Sequence, residues 1–309
     1  MLTRILTMLT LTTVMFGGPS IGWSQTVEDF VAQAQEKLDS WDHDEAVAFL
    51  DQALALDQSR PRVYFLRGSA RRETGDTEGA LADFDQAVAL DPTDAEVLHD
   101  RGLLRHYTED FEGALADFTA FLELEPMVLT VLKMRGEVRA QLEDFAGAVA
   151  DFSAALELAP GDPELHYQRG FALAEEENWD ASIADFTAVM DLPSLPDSQF
   201  DKQDDALLRR AQVKQRAGDH EGARSDCDLA IDRNERDLEA YYIRAQAETA
   251  AGDFQAAVED LDTVLSRYPM AEAFHQRGLA RRGLGDQSGA DADFQAAADR
   301  GYEGSESDR

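Results

Sequence analysis

The sequence predicts an all-α fold, a solenoid of eight helix-turn-helix repeats in one continuous domain. Three observations carry this. Small residues Ala34, Gly68, Gly102, Gly136, Gly170, Ala211, Ala245 and Gly278 form one column, spaced by 34, 34, 34, 34, 41, 34 and 33 residues. A second small column follows twelve residues on (Ala46, Ala80, Ala114, Ala148, Ser182, Ala223, Ala257, Ala290), and a large apolar one four further (Leu50, Phe84, Phe118, Phe152, Phe186, Cys227, Leu261, Phe294). Small residues recur where two helices touch, and large ones fill the space beside them. Turn signals separate the columns: Gly75-Asp76, Gly218-Asp219, Gly252-Asp253 and Gly285-Asp286 end one helix and cap the next.

Taken in order, the repeats lie near 27–60, 61–94, 95–128, 129–162, 163–203, 204–237, 238–270 and 271–301, with a polar tail at 302–309. The first carries Gln33-Ala34 and Phe49-Leu50 where later ones carry Arg-Gly and Asp-Phe, as suits a terminal cap. Pro92, Pro126, Pro160 and Pro269 recur eight residues after the large apolar column and end the second helix there. The fifth repeat runs into Pro193 and Pro196 and has seven extra residues, so the segment 193–203 is expected to be a longer loop and a bend. The eighth ends in Ala290–Arg300, whose Ala/Asp-rich outer side can face water.

Tyr64, Gly68, Ala80, Phe84, Ala87 and Pro92 together match the small/large/proline signature of a single tetratricopeptide (TPR) repeat, and the 34-residue period is the TPR period. Over about residues 27–301 the chain resembles the TPR family, in the subgroup with an Arg-Gly pair in the first helix and an Asp-Phe pair in the second. The resemblance implies a right-handed superhelix whose inner groove is lined by the first helix of each repeat. Carried onto this chain, the groove positions hold Phe65, His99, Leu103, His106, Tyr107, Lys133, Glu137, Tyr167 and Phe171, with Leu208, Tyr242, His275 and Leu279 farther along. Exposed aromatics there would anchor an extended or helical peptide; the alternative is that they pack against the neighbouring repeat. The Lys/Asn set with which some TPR proteins clamp a carboxylate is missing, and Lys133 alone does not replace it.

Sixty-two acidic against 28 basic residues give a formal charge of −34. Such a field repels phosphate backbones and anionic lipids, which argues against nucleic acid as partner. The acid excess is read either as a solubilising surface or as the complement of a basic partner. Residues 1–24 read as a signal peptide: Arg4 supplies the positive start, Ile5 to Phe16 the apolar core, Gly22 and Ser24 the small residues, with cleavage after Ser24. That core falls short of the roughly 20 residues needed to span a bilayer. The mature chain is expected to be periplasmic or secreted, without a transmembrane segment.

Arg67, Arg101, Arg135, Arg169, Arg210, Arg244 and Arg277 share one column, and Asp83, Asp117, Asp151, Asp185, Asp226, Asp260 and Asp293 follow sixteen residues after each. The pattern reads as structural ion pairs within each repeat, or else as an arginine ladder for a polyanion. Pairing within the repeat is favoured, because pairing across repeats would leave Arg67 without an acid and Asp293 without a base.

No phosphate-binding loop, dinucleotide fingerprint, nucleophile elbow or His-Glu-x-x-His pair occurs. His99 and His106 lie seven residues apart, about 10.5 Å along a helix, too far to grip one ion by themselves. Cys227, the only cysteine, stands in a column otherwise Leu or Phe and reads as an inert core residue. The expected function is therefore a non-catalytic scaffold or adaptor that binds a protein or peptide, in envelope assembly, without cofactor or metal. A small-ligand carrier using the aromatic inner face is the second hypothesis.

Overall fold

The computed structural model describes residues 25–191 and 200–302. The expected signal peptide, residues 192–199, which include most of the insertion, and residues 303–309 of the tail lie outside the described residues. Among those described are sixteen helices and no strand: α1 Val27–Asp39, α2 His43–Leu56, α3 Pro61–Thr74, α4 Thr77–Leu90, α5 Ala95–Tyr107, α6 Phe111–Leu124, α7 Leu129–Gln141, α8 Phe145–Leu158, α9 Pro163–Glu175, α10 Trp179–Asp191, α11 Phe200–Arg216, α12 His220–Arg233, α13 Leu238–Ala251, α14 Phe254–Arg267, α15 Ala271–Gly283 and α16 Gln287–Ala298. They pair into eight hairpins.

By their contacts the helices fall into two compact units, α1–α4 and α5–α16, divided between Pro92 and Thr93. The 34-residue period runs through the boundary unchanged, so periodicity alone does not reveal it. In the first unit α2 packs on α3; in the second α6 packs on α7, α8 on α9, α10 on α11, α12 on α13 and α14 on α15.

Each hairpin turns through one residue in the left-handed region. Gly75, Gly218, Gly252 and Gly285 sit there at φ 83–86°, while Trp41, Glu109, Glu143 and Glu177 adopt 57–63° without the glycine that makes such angles free of strain. The next residue caps the second helix: the carboxylates of Asp76, Asp110, Asp144, Asp219 and Asp286 accept from the amides of Gly79, Gly113, Gly147, Gly222 and Gly289 at 2.9–3.0 Å. Pro92, Pro126, Pro160 and Pro269 each fall two residues beyond the end of a second helix.

The expected loop at 193–203 is corrected at its far end. Residues from Phe200 onward are helical, and α11 runs for 17 residues against 13 in α9. Part of the insertion therefore lengthens a helix.

The two apolar columns are matched in size. A Cβ added to Gly68, Gly102, Gly136 or Gly278 would stand 2.6–2.8 Å from Cε1 of Phe84, Phe118, Phe152 or Phe294. Where alanine replaces the glycine, at Ala34, Ala211 and Ala245, the partner shrinks to Leu50, Cys227 and Leu261. Close packing admits one extra methyl only where the facing side chain is smaller. Phe84, Phe118, Phe152 and Phe186, together with Leu50, Cys227 and Leu261, are buried.

Candidate functional site

All seven arginines of the Arg67 column clasp the aspartate sixteen residues later. Nε and one Nη of Arg67, Arg101, Arg135, Arg169, Arg210, Arg244 and Arg277 donate to the two carboxylate oxygens of Asp83, Asp117, Asp151, Asp185, Asp226, Asp260 and Asp293 at 2.5–2.9 Å. The aspartates are only 1–7% exposed. Removing a carboxylate from water is costly unless it is paired, and the planar fork matches both of its oxygens. Asp185 holds the Arg169 guanidinium above its usual range, chiefly through that bond.

Two further contacts were not anticipated from the sequence. One turn beyond the clasping arginine, Arg71, Arg105, Arg139, Lys214 and Arg281 place a second cation 2.8–2.9 Å from the same aspartates. The fifth repeat has Leu173 at that position, and His166 Nδ1 stands 2.8 Å from Asp185 instead. Its Nε2 is 3.0 Å from the Pro160 carbonyl, so a doubly protonated ring would donate to both acceptors. The seventh repeat has Glu248 there.

The clasp also reaches across repeats. The remaining Nη of Arg67, Arg244 and Arg277 donates to Asp51, Asp228 and Asp262 on the preceding second helix at 2.5–2.6 Å, and that of Arg169 and Arg210 to Ser153 and Thr187. The expected pairing within each repeat holds, and Arg67 serves two hairpins at once, bonding Asp83 of its own and Asp51 of the preceding one. Two nitrogens of every arginine in this column are thus engaged by the aspartate of its own repeat.

The first-helix face divides the predicted groove residues. One column, three residues before the Gly/Ala column, is largely packed. Phe65 is buried against Phe84, and Leu208 and His275 are buried, the latter ring lying 5.4 Å from Phe294. The expectation that Phe65 is an exposed anchor is therefore corrected: its ring fills the hairpin. His99 and Tyr167 are half-buried, 5.9 Å and 5.6 Å from the rings of Phe121 and Phe186. The Tyr167 hydroxyl donates to Asp205 of α11, and burial, then that carboxylate, push its pKa up to about 12. Tyr242 is half-buried and also pushed up to about 12, mainly by burial.

The open surface is carried by the next column and the helix ends. Phe171 is 43% and Tyr107 82% exposed, while Leu103, His106, Glu137 and Leu279 are half-exposed, His106 resting on Phe111. Lys133 has company: Lys202 of α11 has its pKa lowered by burial and then by Lys133. Consecutive first helices touch from α7 through α9, α11 and α13 to α15, so Glu137, Phe171 and Leu279 are carried by one continuous row of first helices. Between α11 and α13 lies a polar cleft of about 320 Å³ lined by Gln212, Gln215, Arg216 and Gln246.

In the first unit an apolar cleft of about 540 Å³ lies between α1 and α3, lined by Val27, Val31, Ala32, Pro61 and Val63 among others. Small aliphatic residues line it, so a search for aromatic groove positions passes it over. Cys227 is buried, and burial pushes its thiol pKa up to about 12. Among the described residues no group of three or more His, Cys, Asp or Glu is placed to hold a metal ion, and no helix is long and apolar enough to cross a membrane.

The repeating hairpin has counterparts among known proteins. A family model described as TPR repeat matches residues 68–108, and one described as tetratricopeptide repeat matches 99–163 and 208–272. No curated protein matches the chain. Among solved structures, that of Naa15/Naa10 bound to HypK-THB aligns with a TM-score of 0.60 at 18% identity, over 91% of this chain and 43% of that one. YrrB, described as a TPR protein with an unusual peptide-binding site, aligns at 0.53 and 24% identity over 62% and 95%. MamA aligns at 0.50 and 16% over 55% and 98%. With family models spanning more than half of its length and this hairpin architecture recurring in all three structures, the chain belongs to the tetratricopeptide repeat family.

Proposed function

We infer that this protein is a non-catalytic scaffold that binds a protein or peptide across the first-helix side of α5, α7 and α9, in the periplasm or outside the cell, in envelope assembly. The observation that carries the reading is the exposure of Tyr107 and Phe171 on that side, two large apolar side chains that hairpin packing does not use. TPR folds serve generally in protein–protein interaction, and YrrB is itself described as having a peptide-binding site. The acidity of the chain favours a partner with basic flanks, held less firmly as salt screens the charges.

The test is a photo-crosslinker at position 107 used in the native compartment, followed by the double change Tyr107→Ala/Phe171→Ala. Tyr167 is left intact because it is packed on Phe186 and bonded to Asp205. The variant, which no longer carries the crosslinker, is expected to keep the parent's melting temperature and to lose affinity-purified capture of the partner that the crosslink identified. Undiminished capture would remove the groove assignment.

A further inference from the structure

The seventh repeat breaks the charge pattern that the others keep. In the second, third, fourth and eighth repeats one arginine (Arg71, Arg105, Arg139 or Arg281) approaches the buried aspartate at 2.8–2.9 Å. In the second to fourth it also lies 3.5–3.6 Å from the aspartate that caps the second helix. The sixth repeat uses Lys214 and the fifth His166. In the seventh, Glu248 takes the arginine's place, so a cation is lost and a third carboxyl is added beside Asp260 and Asp253. Asp260 keeps only the Arg244 clasp among the contacts that its counterparts make. Asp253 makes no side-chain cap bond, in contrast to Asp76, Asp110, Asp144, Asp219 and Asp286, and turns to Arg224 at 3.5 Å.

Glu248 is 6% exposed, and its buried Oε2 has no hydrogen-bond partner. A carboxyl oxygen in that state carries a desolvation penalty that an incoming donor would recover. The side chain lines an open cleft of about 300 Å³ between α12 and α13, together with His220, Glu221, Arg224, Ala247 and Ala251. His220 Nδ1, also buried, is likewise without a partner. The volume is about ten times the share of one water in the liquid, enough for a guanidinium or ammonium head and its first methylenes. Glu221, Glu248, Asp253 and Asp260 stand here against Arg224 and Arg244, an excess of negative charge with one acceptor already desolvated and unused.

We propose that the cleft between α12 and α13 is a cation-binding site that receives the guanidinium or ammonium group of a basic side chain on a protein partner, which donates to Glu248 in place of the cation that the neighbouring repeats supply themselves. The cation's chemistry follows from this cleft alone; its belonging to a protein rests on the protein-binding reading above. The site lies apart from Tyr107 and Phe171, in different helices, and would act as a separate charged anchor.

The probe is Nα-acetyl-arginine amide, with the isosteric, uncharged Nα-acetyl-citrulline amide as control, titrated into the full mature chain at constant ionic strength and pH 8. Amide ¹H–¹⁵N shifts of residues 220–224 and 247–251 are expected to move saturably with the arginine compound, half-way at millimolar concentration. The citrulline compound is expected to move them at least tenfold less. Two variants keep the result interpretable: Glu248→Gln removes the charge at constant shape, and Glu248→Arg restores the residue of the other repeats. Both should abolish the response, and Glu248→Arg should also melt higher than the parent. Equal response to the two compounds, or a response that persists in Glu248→Gln, would overturn the site. Because no partner protein is present, that failure stays separate from failure of the groove.

Discussion

Arg139 Nη1 lies 2.8 Å from Asp151 Oδ2, so a carboxylate already clasped through both oxygens by Arg135 carries a second guanidinium. Two cations on one acid 3% exposed make removal of the acid worse than removal of a pair. Asp151→Ala is expected to cost about 3–5 kcal/mol, and Arg135→Met/Asp151→Leu measurably less. Thermal and urea melts of the two variants decide the order; the reverse order would mean that the pairing carries no stability.

The size match between columns predicts a compensating pair. Gly136→Ala pushes a methyl to 2.7 Å from Phe152 Cε1 and should cost about 1–3 kcal/mol. Adding Phe152→Leu recreates the combination at Ala245 and Leu261, so the double variant should lose at least about 1 kcal/mol less than the sum of the singles. Additivity within a few tenths of a kcal/mol would show that the two residues do not share the space.

The hairpin turns predict effects of opposite sign. Gly75 holds φ 84° with nothing within 4 Å of a Cβ position, so Gly75→Ala costs only backbone strain, about 1 kcal/mol. Glu143 holds φ 60°, and Glu143→Gly should relieve strain of similar size and raise the melting temperature slightly. If both substitutions destabilise equally, left-handed geometry is not what limits this turn.

Glu248 makes stability depend on pH in a set direction. Burial, then the Asp260 charge, push its carboxyl up to about 7 from 4.5, with Arg244 pulling the other way. Between those values the folded chain keeps a proton that the unfolded chain has released, so this group's contribution is full below pH 4.5 and lost as pH rises through 7. Around it stand His220, Glu221 and Arg224 of α12, Arg244 of α13, Asp253 at the start of α14 and Asp260 within it. Glu248→Gln should therefore be more stable than the parent at pH 8, by about 3 kcal/mol, with the difference shrinking toward zero near pH 4.5. Denaturant melts at both pH values test it, and a gap independent of pH would refute the titration.

Much of the hairpin was legible because its signals recur at fixed spacing. The Arg67 and Asp83 columns could be paired from sequence since both members repeat without interruption. The second cation was not legible: its column mixes Arg139 and Lys214 with Leu173 and Glu248, and a mixed column resembles an ordinary exposed face. The cross-repeat acceptors Asp51, Ser153, Thr187 and Asp228 share only the ability to accept a hydrogen bond, which a search for one residue type misses. Phe65 and Phe171 look alike in sequence, yet one is buried and the other open, because exposure depends on which helix face meets the second helix. Separation into two units leaves no trace in a period that continues across Pro92 and Thr93.

The matched Gly–Phe and Ala–Leu columns also constrain how such a gene can change. A crossover inside a hairpin that joined Ala245 to a second helix from a phenylalanine repeat would force a methyl into the ring. One that joined Gly136 to a leucine repeat would leave a void. A crossover between hairpins disturbs neither match. Tandem arrays of this kind therefore lengthen and shorten most safely by whole hairpins, so the hairpin is the unit of inheritance as well as of folding.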